Sequence, residues 1–538
     1  MASPDRRARR VGITRSGALL PLTLVISCAQ PRAHVTRDAP AATVGAPIVP
    51  AVQGTGAVYD WLLAAQAGTP TGLLATVEGN RYAQLYNNAL AAIAFVRFGN
   101  PDAAAAILHF YQERLGVEFY GPHGEPRGFY QQRDAATGEP MKSSDRWMGD
   151  NGWLLIATHY YEAEHPGGAF RSLADALRGL FGHLRTPDGA YSYCASGWHG
   201  DGSPILDSGH TEGNLDAHAA LAVDPATAPQ AREVQGWLDF RRHNWRLGPL
   251  DIHNWRVLSL GPEYGYCLND NDRTDRPDLR FAEVVDVQGQ PVRGFINCSL
   301  ATCPVRHDTI FAEATGSEVA AYYAAGFRRE GDAYLGAMDH LLVPAHAGAA
   351  VPVLARDTRD KSYSWARPDA GSVAPAAWYL FDKAKFNPYT LRSMAEATIA
   401  DPVAHIEAED YDAKRDPAGC LANVSVPDVA YGGEALRVDS ASCTAMTEYS
   451  FNLLARVEQP SVSVRTSRST SATVLRVAFD DAPAIACAAS NAGVDYVWTE
   501  PAAIPALAAG LHTMRVEFAA PAAGPAIDAF RIHGAARE

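Results

Sequence analysis

A helical body followed by an all-β sandwich is the fold class this sequence predicts, on two observations. Between Tyr59 and about Tyr389, apolar residues recur at helical spacing in one segment after another, with loops between them. From residue 406 to 533 that period is absent, and short alternating runs separated by Gly, Pro and Asp replace it. With 538 residues, 47% of them hydrophobic, the chain can bury one large core and a second smaller one, so it is expected to be multidomain. A net charge of −14 with scattered basic residues argues against a nucleic-acid partner, which would need a basic stripe.

The elements follow in order. Arg6, Arg7, Arg9, Arg10 and Arg15 precede an apolar run from Gly17 to Ser27, the pattern of an export signal and too short for a lasting transmembrane helix. The run ends Val25-Ile26-Ser27-Cys28, which resembles a bacterial lipoprotein box and would make Cys28 the lipidated first residue of the mature chain. An ordinary signal cleaved near Ala33 is the alternative, and either one places the protein outside the cytoplasm, touching membrane only through a lipid anchor. The expected organisation is a signal over 1–28, a linker over 29–52, a helical domain over 53–400 and a β-sandwich over 401–538. Oxidising surroundings favour disulfides. Cys298 with Cys303, and Cys420 with Cys443, are spaced to pair, whereas Cys194, Cys267 and Cys487 have no partner assignable from sequence.

Helical spacing is found in Tyr59 to Ala67, Ala83 to Phe98, Asp102 to Leu115, Gly152 to Ala163, Ala169 to Leu184, Thr211 to Val223, Ala231 to Arg242, Phe311 to Gly326, Ala333 to Leu342 and Ser372 to Phe381. Ten to twelve helices are expected. The long loops from Gly121 to Asp150, Thr186 to His210 and Gly261 to His307 mark places where a site is built. In the β region the runs Ser461 to Arg465, Val474 to Phe479 and Met514 to Phe518 predict strands of a sandwich.

Acidic residues stand at the starts of helices, just after loops: Asp150 with Trp153, Thr211-Glu212-Gly213-Asn214-Leu215-Asp216, and Glu313. On a helix Glu212 and Asp216 share a face. Cleavage of a sugar linkage needs two such carboxyl groups, one to protonate the leaving oxygen and one to activate water or attack. Amides and indoles nearby suit sugar hydroxyls and C–H faces, which makes Trp153, Asn214, His253, Trp255 and Tyr264 candidate substrate contacts. Asp150 is equally a routine helix N-cap, and Glu212 a routine first-turn acid. No Gly-x-Ser-x-Gly elbow, phosphate loop or Cys/His cluster for zinc occurs.

Trp61-Leu-Leu, Asn88 to Phe95, Gly149-Asp-Asn-Gly-Trp153, Thr211 to Asp216, Glu313-Ala-Thr315, Ala377 to Phe381 and Phe386-Asn-Pro-Tyr389 together resemble the six-hairpin glycosidases over Val58 to Tyr389. The resemblance implies an (α/α)6 toroid with a cleft at one end, two carboxyl groups acting by inversion, and no catalytic cofactor. Glu212 is the expected general acid and Asp150 the expected base, with Asp216 and Glu313 as alternates. The chain departs from the pattern at Asn87, Gly213 and Ala314. The C-terminal quarter, through Ile406 to Tyr411, Tyr431-Gly-Gly433, Gly510 to Arg515 and Ile527 to Arg531, resembles carbohydrate-binding modules of families 6 and 35. That resemblance implies a jelly-roll sandwich, sugar stacking by Tyr431 and Trp498, and a structural calcium held by Glu407, Glu409 and Asp528, hard oxygen ligands of the right kind. The partner implied is a polysaccharide or oligosaccharide. Two other readings stay open: an inactive glycan-binding lipoprotein, and a polysaccharide lyase drawing on loop Tyr and His bases such as Tyr264 and His253.

Overall fold

The computed structural model describes residues 54–142, 144–185, 197–205, 211–240, 249–273, 280–299, 308–358, 366–425, 434–438, 443–467, 469–491, 496–520 and 526–537. The expected export signal, Cys28, the linker, Cys194, Cys303 and Tyr431 lie outside the described residues. So does the side chain of Cys443.

The N-terminal part is helical: α1 (Gly54–Ala67), α2 (Leu85–Arg97), α3 (Pro101–Glu113), α4 (Met148–Glu164), α5 (Arg171–Leu184), α6 (Thr211–Ala222), α7 (Ala228–Phe240), α8 (Leu250–Leu260), α9 (Ala312–Ala324), α10 (Arg328–Asp339) and α11 (Val373–Lys383). Two kinds of helix are present. In α2 every residue from Asn87 to Val96 is buried, and in α11 every residue from Val373 to Asp382. A helix apolar on all sides belongs inside a fold. By contrast, α5 buries only Leu173, Ala174, Ala176, Leu177, Leu180, Phe181 and Leu184, a stripe at intervals of three and four that fits an outer helix.

The packing follows this division. Helix α2 packs on α4, α4 on α6, α6 on α8, α8 on α9, α9 on α11, and α11 returns to α2, so six helices close a ring. Outside it, α1 packs on α11, α3 on α2, α5 on α4, α7 on α6 and α10 on α9, while a 3₁₀ helix, Pro262–Leu268, packs on α8 and α9. Helix α8 is a correction to the sequence reading, whose helical segments include none between Arg242 and Phe311. Its sequence, Leu-Asp-Ile-His-Asn-Trp-Arg-Val-Leu-Ser-Leu, carries polar side chains on an inner helix whose N-terminal end meets a cavity, and they mask the apolar period.

The C-terminal part is two antiparallel sheets. In one, Arg456–Thr466 pairs with Ala526–Arg537, which also pairs with Ala404–Glu407 and Glu434–Val438. In the other, Gly510–Ala520 lies between Cys443–Leu453 and Ser469–Phe479. Alternate residues face inward: Val462 and Val464 from the first sheet meet a core that includes Leu475, Val477, Phe479, Met514, Val516 and Phe518 from the second. Cys298 and Cys420 are each part of a disulfide bond.

This sandwich is docked on the helical part. Asn269 Nδ2 donates to the Val403 carbonyl at 3.1 Å, Asn452 Nδ2 to the Asn269 carbonyl at 2.8 Å, and Arg273 Nη1 to the Ser450 carbonyl at 2.9 Å. The ring of Tyr266 stacks on His405 with centroids 5.2 Å apart.

Candidate active site

A cavity of about 430 Å³ opens where the six ring helices begin. Its wall includes Tyr86 near the start of α2, Asp150 and Trp153 from α4, Glu212 and Asp216 from α6, Asp251 and Trp255 from α8, Glu313 from α9, and Ser372 just before α11. The helix termini explain the gathering of acids. Asp150 is the third residue of α4, and Glu212, Asp251 and Glu313 are the second residues of α6, α8 and α9. Unpaired N–H groups and the positive end of the helix dipole accommodate carboxylates there. The chain thus brings Asp150, Glu212, Asp216 and Glu313 together, and adds Asp251. Asn87, Gly213 and Ala314, the positions of departure from the glycosidase pattern, also line the cavity.

The acids differ in their partners. Asp150 accepts from the Tyr86 backbone N–H and from Gln131 Nε2, each at 3.4 Å, and burial, the largest influence, still pushes its carboxyl up to about 7. Glu212 receives no hydrogen-bond donor among the described residues. Burial first, then the neighbouring Asp150 and Glu313, push it up to about 7. Burial also takes Glu313 to about 7, against the hydroxyl of Tyr86, which favours its ionised form. Asp216 is raised well above the usual carboxylate range, chiefly by burial and then by Glu212, although Tyr389 Oη donates to its Oδ1 at 3.2 Å. Gly149 makes room for Asp216: a Cβ there would stand 2.5 Å from Oδ2. Asp251 accepts from Asn297 Nδ2 at 3.2 Å.

An aromatic floor lies beneath. Trp153 is buried and meets Tyr86, Trp378 and Tyr389 with centroids 5.4, 6.3 and 4.6 Å away, so it supports the cavity rather than offering an open stacking face. Trp255 lies 5.9 Å from Tyr389 and lines the wall.

Several expected contacts lie elsewhere, and Asn214 and His253 do so for a common reason. Two residues along a helix is about 200° of rotation, so a neighbour at that spacing faces away. Asn214, two after Glu212, is buried and does not line the cavity. His253, two after Asp251, is buried with its Nδ1 2.8 Å from Asn271 Oδ1. Tyr264 sits on the 3₁₀ helix outside the ring, where its hydroxyl donates to Asp239 Oδ1 at 2.8 Å. His253 and Tyr264, the bases named as examples for a lyase, do not line the cavity.

In the sandwich, Glu407 and Asp528 come from paired strands, and the Ala408 N–H donates to the Asp528 carbonyl at 2.9 Å. Burial first, then Glu407, push the Glu409 carboxyl up to about 10, and its Oε2 is buried without a hydrogen-bond partner. Asp528 is fully buried and ion-paired with Arg465. Among the described residues no group of three or more His, Cys, Asp or Glu is arranged to hold a metal ion. Glu407, Glu409 and Asp528 offer carboxylate oxygens, the donor type that a hard cation takes. Trp498 is half-buried, with the Arg531 guanidinium over its ring at 4.3 Å.

No family model and no curated protein matches this chain. Among solved structures, it is similar to a glycosidase variant at 14% identity, over 63% of this chain and 98% of that one, with a TM-score of 0.43. It is similar to an exo-β-1,3-galactanase from Phanerochaete chrysosporium at 12% identity over 24% of this chain, TM-score 0.20, and spans only 29% of that chain's length. A family 6 carbohydrate-binding module from Clostridium stercorarium, in complex with cellobiose, matches at 23% identity over 25% of this chain and 95% of its own, TM-score 0.19.

Proposed function

We propose that this chain is an exported glycoside hydrolase that cleaves a polysaccharide or oligosaccharide by inversion, with Glu212 as acid and Asp150 as base. The supporting observation is the contrast between two carboxyl groups in one cavity. Asp150 is held by two donors that favour its ionised form, and Glu212 has none among the described residues and lies beside Asp150 and Glu313. Groups so sorted suit opposite halves of acid–base catalysis. Glu212 gives its proton to the glycosidic oxygen as the anomeric C–O bond breaks. Asp150 takes a proton from the water whose oxygen forms the new bond, which leaves one new reducing end of inverted configuration. Inversion calls for carboxyl groups roughly 6.5–9.5 Å apart, to admit that water. In this reading the ring of six helices is the inner wall of an (α/α)6 toroid, the sandwich is a jelly-roll glycan-binding module, and Cys28 carries the lipid.

A panel of polysaccharides tests the activity. New reducing ends without ultraviolet absorbance from unsaturated sugars, and an inverted anomer seen first by proton NMR, are the expected results. Tight glycan binding with no product from any substrate would instead favour the inactive binding protein.

Calcium in the sandwich is part of the same proposal, with Glu407, Glu409 and the second oxygen of Asp528 as ligands. Saturating calcium then raises the thermal midpoint over that in chelator by about 2–4 °C, the gain expected when a ligand binds only the native state. An identical midpoint in both would mean that Arg465 already supplies the compensating charge.

A further inference from the structure

Asp251 and Asn297 line the cavity together, and the two-carboxyl mechanism gives neither a task. Both are half-buried, and their geometry is fixed from the backbone outward. The Leu250 N–H donates to the Asn297 carbonyl at 2.8 Å, and the Asp251 N–H to Asn297 Oδ1 at 3.4 Å. A backbone N–H can only donate, so the amide oxygen of Asn297 faces the start of α8. Its Nδ2 is thereby turned to the carboxylate and donates to Asp251 Oδ2 at 3.2 Å, while the Ile252 N–H donates to Oδ1 at 2.9 Å. Asp251 is the second residue of α8, where the helix dipole favours negative charge. A carboxylate accepts at about four lone-pair positions and an amide nitrogen carries two hydrogens, so the pair suits neighbouring hydroxyls of a sugar ring.

Place and charge narrow the ligand further. Helix α8 packs on α6, which carries Glu212, so the pair stands one helix round the ring from the proposed acid. Asp150, Glu212, Asp216 and Glu313 line the same cavity as Asp251, and no Lys, Arg or His does among the described residues. A sugar bearing carboxylate or sulfate would bring like charge against that wall, which weakens binding. We propose that Asp251, oriented by Asn297, is a specificity-determining residue: its carboxylate binds hydroxyls of an uncharged sugar residue and turns away a carboxylated or sulfated one. The inference rests on the cavity being the glycan site.

The test compares the glycan that is cleaved fastest in the panel with the same glycan after its primary alcohols are oxidised to carboxylates. Wild type is expected to prefer the neutral form by about tenfold or more in kcat/KM. Asp251→Asn keeps the shape and removes the charge. It should raise KM for the neutral glycan about tenfold, with kcat nearly unchanged, and lower KM for the oxidised one. Asn297→Ala loosens the carboxylate without removing its charge, so KM for the neutral glycan should rise while that for the oxidised form does not fall. A merely structural role would move both substrates in the same direction. Equal cleavage of the two forms by wild type, parallel changes in Asp251→Asn, or a loss in kcat alone overturns the proposal. A panel with no product would sink the hydrolase reading, and calorimetry with the tightest-binding neutral glycan and its oxidised form would then decide this one. A preference for the neutral form that Asp251→Asn removes upholds it, and an absent or unmoved preference overturns it.

Discussion

Replacing Glu212 with Gln is expected to lower kcat by about 10²–10⁴-fold with little change in KM, the range measured when a positioned proton donor is removed. The amide fills the same space and cannot give up a proton. Asp150→Asn should cost a comparable factor for the opposite reason, since it cannot accept one. The pH profile separates the two. In the proposed mechanism Glu212 must be protonated, so activity should fall as pH rises through about 7, and Asp150 must be ionised, so activity should fall as pH drops through about 7. Two groups titrating so close together give a narrow bell whose limbs belong to the coupled pair. Glu212→Gln should flatten the alkaline limb of its residual rate, and Asp150→Asn the acidic one. If both variants retain full activity on a substrate that the wild type cleaves, the assignment fails.

A second large effect is expected on stability, with the opposite sign to that on activity. Glu212 and Glu313 are each pushed from 4.5 up to about 7 by the folded structure. A raised native pKa means that the native state binds the proton more tightly than the unfolded chain does. The stabilisation from such a group is complete below the unfolded value near 4.5 and is lost as pH rises through 7, so above 7 each ionised group is a burden. A shift of that size has a ceiling of about 3 kcal/mol per group, and the partial exposure of these side chains at the cavity wall reduces it to about 1–2 kcal/mol. The double variant Glu212→Gln, Glu313→Gln should therefore unfold at a higher temperature than wild type at pH 8, and at nearly the same temperature at pH 4. A double variant less stable than wild type at pH 8 would show that the carboxylates are compensated in some other way.

Much of the site was readable from the chain because its acids obey a local rule. Asp150, Glu212 and Glu313 each follow a loop and open an apolar helix, and the ring brings those openings to one end. Asp251 follows the same rule but escaped, because α8 is too mixed in composition to announce itself as a helix. Tyr86, Trp378 and Tyr389 carried no local signal of joint action. Tyr86 and Trp378 are 292 residues apart and meet only because α11 closes the ring on α2. Asn214, His253 and Tyr264 were misplaced because polar and aromatic character says nothing about which side of a helix a residue occupies. Their hydrogen bonds and burial tie them to the scaffold.

The docking of the sandwich on the 3₁₀ helix bears on how a long glycan would be handled. A module on a free linker samples many separations and only raises the local amount of substrate. Here Asn269, Asn452, Arg273 and the Tyr266–His405 stack fix the two bodies together. In the proposed hydrolase, a chain gripped by the sandwich would reach the carboxylates at one constant spacing, so the enzyme's products should carry that spacing as a preferred length.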